Sequence, residues 1–153
     1  MTVKPIPEGQ HSLMPYIGVT NAHAAIDFYI RAFGAVEVFR LDAPGGRIGH
    51  AELRIGDSTL MLADPCGQPP FGDSAASSIA LHLYVEDVDA RFTQAIKAGG
   101  EVVNAVQDQF YGNRSGTLRD PFGILWFVAT RMEDLTPDEV RRRAEQMFGG
   151  ESQ

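Results

Sequence analysis

Two stretches of this chain repeat one another. Laying Val19–Val38, VTNAHAAIDFYIRAFGAVEV, over Val85–Asn104, VEDVDARFTQAIKAGGEVVN, aligns a strand end, a cap, an amphipathic helix and a second strand, residue i against residue i + 66. At that offset Asn21 meets Asp87, both good N-caps. Ile26 meets Phe92, Ile30 meets Ile96, Ala32 meets Ala98, and Gly34 meets Gly100 as a helix stop. Further on, GRIGHAELRIGDSTLMLAD corresponds to NRSGTLRDPFGILWFVAT, with one residue of slack around the turns Gly56-Asp57 and Phe122-Gly123. Identity is sparse and the likeness lies in the pattern, so a duplicated unit is the economical explanation.

Each half reads strand, helix, strand, strand, strand. In the first, periodicity and turn residues predict strands over about 13–20, 35–41, 48–55 and 59–63, with a helix over 22–33. In the second they predict strands over about 79–85, 101–103, 115–118 and 124–129, with a helix over 88–98. The Pro-, Gly- and Ser-rich stretch DPCGQPPFGDSAASS, about 65–78, reads as a linker between module one, about 11–64, and module two, about 79–130. In LTPDEVRRRAEQMFGG, Thr136 is a cap, Pro137 opens a helix, Glu139 follows the cap by three and Gly149 is a stop. This appended helix, about 136–148, carries Val140, Ala144, Met147 and Phe148 on one face, which docks on its own domain or on a partner subunit.

A length of 153 residues with 44% hydrophobic composition suffices for one domain with a full core. A net charge of −7 and a pI near 5.0 argue against a nucleic-acid partner, which would draw Lys and Arg to one face. The start MTVKPIPEGQ has no apolar export segment and no window is long and apolar enough to span a membrane. With the lone Cys66 in a loop, a cytoplasmic protein is expected.

The twice-occurring βαβββ unit, the helix entry YVEDVDA and the DPFG turn before the last strand resemble the glyoxalase/bleomycin resistance/extradiol dioxygenase superfamily, also called vicinal oxygen chelate proteins. The likeness covers roughly Leu13 to Thr130. GRIGHAELRIGD, DQFYGNRSGTLRDPFG and the Arg-rich tail are similar to the PhnB-like branch. The resemblance implies an α+β fold in which two βαβββ modules form paired curled mixed sheets around a barrel cavity, commonly in a homodimer. The family's metal ligands, matched residue by residue, fall on Met14, Met61, Ala80 and Phe127. None supplies the nitrogen or oxygen that such a metal needs, so no metal and no cofactor is expected at the usual site.

Alternation names the other side chains of the cavity wall. Tyr16 and Gly18 share the face of Met14, and His82 and Tyr84 that of Ala80. The polar set His50, Glu52 and Arg54 alternates with Ala51, Leu53 and Ile55, whose apolar side helices must cover. Thr117 and Arg119 point inward, and Tyr111 in the preceding loop can close over them, whereas Trp126 and Val128 read as core. His50 and Glu52 are either a solvated strand face or pocket groups. His82 is either a pocket residue or a core histidine, and Arg119 either clamps an anion or pairs with Asp120. His11 and His23 read as surface residues. The candidate ligand-binding set is therefore Tyr16, His50, Glu52, Met61, His82, Tyr84, Tyr111, Arg119 and Phe127.

No Ser-His-Asp order, Cys-His pair or phosphate loop is present, since the glycines of GAVEVFRLDAPGGRIG open a hairpin. Two functions fit. One is a metal-free protein that binds a small planar or aromatic molecule, as bleomycin-type resistance members do. The other is an isomerase, lyase or dioxygenase using a metal relocated to His50, Glu52 and His82, or His82 with Glu52 as acid–base groups.

Overall fold

The computed structural model describes residues 5–65 and 79–148, so Cys66, most of the linker and Gly149 lie outside the described residues. The first half contains β1 (Tyr16–Gly18), α1 (Ala22–Phe33), β2 (Val36–Ala43), β3 (Arg47–Ile55) and β4 (Ser58–Ala63). The second contains β5 (Ala80–Tyr84), α2 (Val88–Ala98), β6 (Glu101–Asp108), β7 (Asn113–Arg119) and β8 (Leu125–Arg131), followed by α3 (Pro137–Phe148). The strands form two four-stranded sheets of matching order, β1-β4-β3-β2 and β5-β8-β7-β6. In each, the first strand joins the last in parallel and the remaining pairings are antiparallel. The expected α+β fold of two mixed sheets with a C-terminal helix is thus present. Contacts cluster into two compact units, Met1–Ser78 with Pro121–Gly123, and Ile79–Asp120 with Ile124–Gln153.

In the first unit the Asn21 side chain accepts from Ala24 N at 3.2 Å and starts α1, and Gly34, at φ 69°, ends it. The apolar stripe Ala25, Ile26, Phe28, Tyr29, Ala32 and Phe33 is buried, as are Ala51, Leu53 and Ile55 of β3 and Leu60 and Leu62 of β4. Because side chains alternate along a strand, the residues between these must lie on the other face. Asp64 locks the corner: one carboxylate oxygen accepts from Asn21 N at 2.9 Å and Ala22 N at 3.0 Å, the other from Ile48 N at 2.8 Å.

The second unit repeats the device with different chemistry. Thr130 Oγ1, at the position equivalent to Asp64, accepts from Val88 N at 2.9 Å and donates to Val85 O at 2.8 Å. Asp87 caps α2 through Ala90 N at 3.2 Å. The helix stops at Gly99, φ 126°, one residue before the Gly100 that the repeat marks. Val88, Phe92 and Ala95 are buried, as are Leu118, Trp126 and Val128, the last two as expected. Gly116 on β7 lies so close beneath α2 that a Cβ there would stand 2.9 Å from Phe92 Cε2 and 2.9 Å from Val106 Cγ2. In the hairpin before β8, Gly123 takes φ 92°, and Asp120 accepts from Ile124 N at 3.0 Å and Trp126 Nε1 at 2.9 Å.

Both helix spans of the repeats agree with the sequence reading, whereas two strands differ. The first covers Tyr16–Gly18 rather than about 13–20, because Pro15 has no N–H to give to a ladder. The sixth runs to Asp108 instead of ending near Val103, through register shifts between Val102 and Asn104 and between Asn104 and Gln107. Bulges break the alternation that would have revealed those residues as a strand. Among the described residues no helix is long and apolar enough to cross a membrane.

Candidate ligand-binding site

The face of the first sheet opposite its buried apolar set carries one row of side chains across all four strands. Tyr16 is opposite Met61, Met61 opposite Glu52, and Glu52 opposite Phe39. His50 stands two residues before Glu52 on the same face. Its Nδ1 is 3.1 Å from Tyr16 Oη and its Nε2 3.9 Å from Glu52 Oε2. The Tyr16 and His50 rings meet edge-on with centroids 5.4 Å apart, and Phe39 flanks the imidazole at 6.2 Å. Tyr16, His50, Glu52 and Met61 are half-buried, so His50 and Glu52 form a connected polar cluster rather than a freely solvated strand face.

The second sheet repeats the row with other residues: His82 is opposite Phe127, Phe127 opposite Thr117, and Thr117 opposite Asn104. His82 is exposed and stacks on Phe127 at 6.3 Å with an interplanar angle of 14°, while Tyr84 approaches it at 4.6 Å. It is therefore not a core histidine. Tyr84 is 60% exposed and its hydroxyl accepts from Asn113 Nδ2 at 3.3 Å. Three aromatic rings left open on one sheet face are unusual for residues that gain most by burial.

Thr117 and Arg119 share this face, opposite Phe127 and Leu125. Asp120 is buried and bonded to the hairpin backbone and Trp126, and Arg119, which is exposed, makes no ion pair with it. Of the two readings of Arg119, the pairing with Asp120 is the one the structure overturns. Tyr111 lies in the turn before β7, its ring edge-on to Phe110 at 5.1 Å. Arg143 of α3 holds that turn, donating to Phe110 O at 3.2 Å and with both terminal nitrogens to Glu133 at 3.0 Å. Val140 and Ala144 of α3 are half-buried and Met147 is exposed. The Thr136 cap forms as expected, through Glu139 N at 3.2 Å. Hydrogen bonds from Arg142 and Arg143 hold the Glu139 carboxyl down at about 2, and Arg143 likewise lowers Glu133.

His11 and His23 are exposed, touching Asp57 O and Arg40. Among the described residues no three His, Cys, Asp or Glu side chains come together to hold a metal ion, and His82 belongs to a different unit from His50 and Glu52. Met61 and Phe127 take central places in the two rows, and their register partners Tyr16 and His82, rather than Met14 and Ala80, lie directly beside them. A thioether, a methyl and a phenyl ring are a poor donor set for the metal the family usually binds.

Phe39 and Asn113 escaped the sequence reading. Strict alternation puts Val36 and Phe39 on opposite faces, but a register shift between Glu37 and Phe39 places both opposite polar residues of β3, Arg54 and Glu52. Asn113 was within reach, because counting by twos back from Thr117 leads to it.

The comparisons with known proteins agree with this architecture. The family model described as Glyoxalase/Bleomycin resistance protein/Dioxygenase superfamily matches residues 9–128. A Mycobacterium bovis protein, Mb0911c, is 40% identical over 136 residues, covering 85% of this chain and 90% of its own. The crystal structure of TioX from Micromonospora superposes with a TM-score of 0.63 at 28% identity, over 82% of this chain and all of that one. That of the Arabidopsis thaliana gene product At5g48480 gives 0.64 at 26% identity, over 78% and 98% of the two chains. The chain belongs to the glyoxalase/bleomycin resistance protein/dioxygenase superfamily.

Proposed function

We propose that the protein binds a small planar, mostly apolar molecule with one anionic or hydrogen-bonding end, without a metal, and that it falls in the PhnB-like branch of its superfamily. The observation that carries this reading is the pair of open aromatic rows, Tyr16, Met61 and Phe39 on one sheet and His82, Phe127 and Tyr84 on the other. Such surfaces bind through apolar area, and a few polar groups orient the ligand, Glu52 on the first sheet or Arg119 on the second. In a cytoplasmic protein this amounts to sequestration, a form of resistance when the ligand is an antibiotic. A thermal-shift screen of aromatic carboxylates, quinones and peptide antibiotics tests the reading. A ligand at 100 times its Kd adds about 2.7 kcal/mol to the native state. A screen without a stabilising compound would refute it.

A second reading, acid–base catalysis, is favoured by the contact of His50 with Glu52 and Tyr16. Turnover of a bound compound, lost in His50→Gln, would promote it. We also infer a homodimer, because the edge strands β2 and β6 expose Val36, Val38, Phe39, Leu41, Val102 and Val103. Sedimentation velocity at micromolar concentration checks this, and a monomer would overturn it.

A further inference from the structure

We propose that the ligand lies on the open face of the second sheet and is a planar aromatic acid with a hydrogen-bonding group on one edge: Ser115 and Thr117 of β7 select that edge, and Arg119 takes the acid. This rests on the ligand-binding reading above and adds to it the sheet, the class of molecule and the residues that select it.

Alternate residues of β7 serve the fold. Arg114 pairs with Asp89 of α2 at 2.8 Å, Gly116 lies against Phe92, and Leu118 is fully buried. The residues between them, Ser115 and Thr117, and Arg119 at the strand end therefore stand on the open face. Ser115 and Thr117 are only 6% and 7% exposed, yet neither hydroxyl has a hydrogen-bond partner among the described residues. Both oxygens nevertheless reach solvent, because Gln10 Oε1 is the one fully enclosed side-chain polar atom without a partner among those residues. Short side chains between longer ones account for this combination. Thr117 stands between Phe127 and Asn104, both longer and both exposed, so the hydroxyls form the floor of a trough. A polar group this close to burial ordinarily finds its partner within the protein. Here the fold supplies none, and the partner comes from a ligand.

The two walls of the trough differ. On the side of β8 and β5 stand Phe127, His82 stacked on it, and Tyr84. On the side of β6 stand the amides of Asn104 and Gln107, opposite Thr117 and Ser115. A flat ring system resting on the aromatic wall thus turns one edge to the hydroxyls, which can donate to it or accept from it. At the end of the strip the charge is free. Arg114 and Arg131 are tied to Asp89, Asp108 and Asp134, whereas Arg119 is exposed and forms no ion pair among the described residues, not even with Glu101 across β6. Every second residue of a strand advances by roughly 7 Å, so the acid belongs about that far from the group that meets Thr117. Fused rings substituted at opposite ends span that separation.

Calorimetric titration of the full chain with 6-hydroxy-2-naphthoate, 2-naphthoate and 2-naphthol tests the proposal. Native protein should bind the hydroxynaphthoate about fivefold more tightly than naphthoate, the effect of one neutral hydrogen bond. It should bind it about tenfold more tightly than naphthol, which lacks the acid. In the double variant Ser115→Ala, Thr117→Val the first ratio should fall to about one, while the affinity for naphthoate stays within about twofold of native. Thermal unfolding separates a binding role from a structural one: hydroxyls with no partner in the fold hold nothing together, so Tm of that variant should stay within about 3 °C of native. Arg119→Ala should weaken both naphthoates about tenfold and naphthol by less than about twofold. A first ratio that survives the double variant, a larger fall in Tm, or a ratio lost in Glu52→Gln instead overturns the assignment to β7 and leaves the ligand-binding reading standing. If none of the three compounds binds, the proposal is overturned, and the thermal-shift screen alone then decides the broader reading.

Discussion

Replacing Asp64 by Ala removes the one side chain that ties the start of α1 to the start of β3. Three backbone N–H groups lose their acceptor, those of Asn21, Ala22 and Ile48. Ala22 and Ile48 are fully buried, so their N–H groups have no easy route to water, while Asn21 is exposed and can be resolvated. A buried donor left unsatisfied costs about 1–3 kcal/mol, which for two of them gives roughly 2–6 kcal/mol. For a chain of this length each kcal/mol moves Tm by about 2–4 °C, so Asp64→Ala should lower Tm by roughly 4–24 °C. Thr130→Ala, at the equivalent corner, frees a single buried donor, Val88 N, and should cost about 1–2 kcal/mol. Asp64→Asn keeps the oxygen that serves Asn21 and Ala22 and loses the one that serves Ile48, so it should fall between Asp64→Ala and the native protein. Thermal unfolding followed by circular dichroism reads all three. An Asp64→Ala variant within 2 °C of the native protein, or a larger loss from Thr130→Ala, would refute the assignment of these corners (threshold set from about 2–4 °C per kcal/mol).

Gly116→Ala should destabilise by about 1–3 kcal/mol, because its new methyl must displace Phe92 and Val106 from contact distances of 2.9 Å; an unchanged Tm would contradict that packing. Glu139 is held below its ordinary value of 4.5, at about 2, so its contribution to anchoring α3 is present above pH 4.5 and is lost as pH falls toward 2. Side-chain carbon shifts of Glu139 should therefore titrate near 2, and Arg143→Ala should raise the midpoint; a native midpoint at 4.5 would remove the network. Arg119→Ala should weaken anionic aromatic ligands more than neutral analogues of the same shape, since only the former lose a charge-assisted bond. Equal losses by titration calorimetry would take Arg119 out of the site.

The duplication was legible because it repeats local physics. Caps at Asn21 and Asp87, helical stripes and turn glycines recur at one offset, and both helices sit where the pattern puts them. The side of the sheet on which Tyr16, Glu52, His82 and Phe127 stand was legible from alternation alone. Which side chains touch was not. The contacts of Tyr16 with His50 and of His82 with Tyr84 depend on strand register and ring rotation, and neither leaves a trace in residue order. Phe39 was hidden by a bulge, and the fate of Asp120 by Trp126, whose indole N–H claims a carboxylate that Arg119, its neighbour in sequence, could also have taken. Alternation assigns faces, whereas packing assigns partners.

The most direct test of metal-independent binding at these rows is calorimetric titration of an aromatic ligand found by the thermal-shift screen. It is carried out on native protein and on Phe127→Ala, with and without prior chelation of divalent metals. Phe127 contributes its ring to the centre of the second row, and its removal should cost roughly 1–3 kcal/mol of binding through lost contact and stacking. The account predicts one affinity for chelated and untreated native protein and a Kd raised by about 5- to 150-fold in the variant. Binding abolished by chelation and restored by a divalent metal, with Phe127→Ala indistinguishable from native protein, would contradict it.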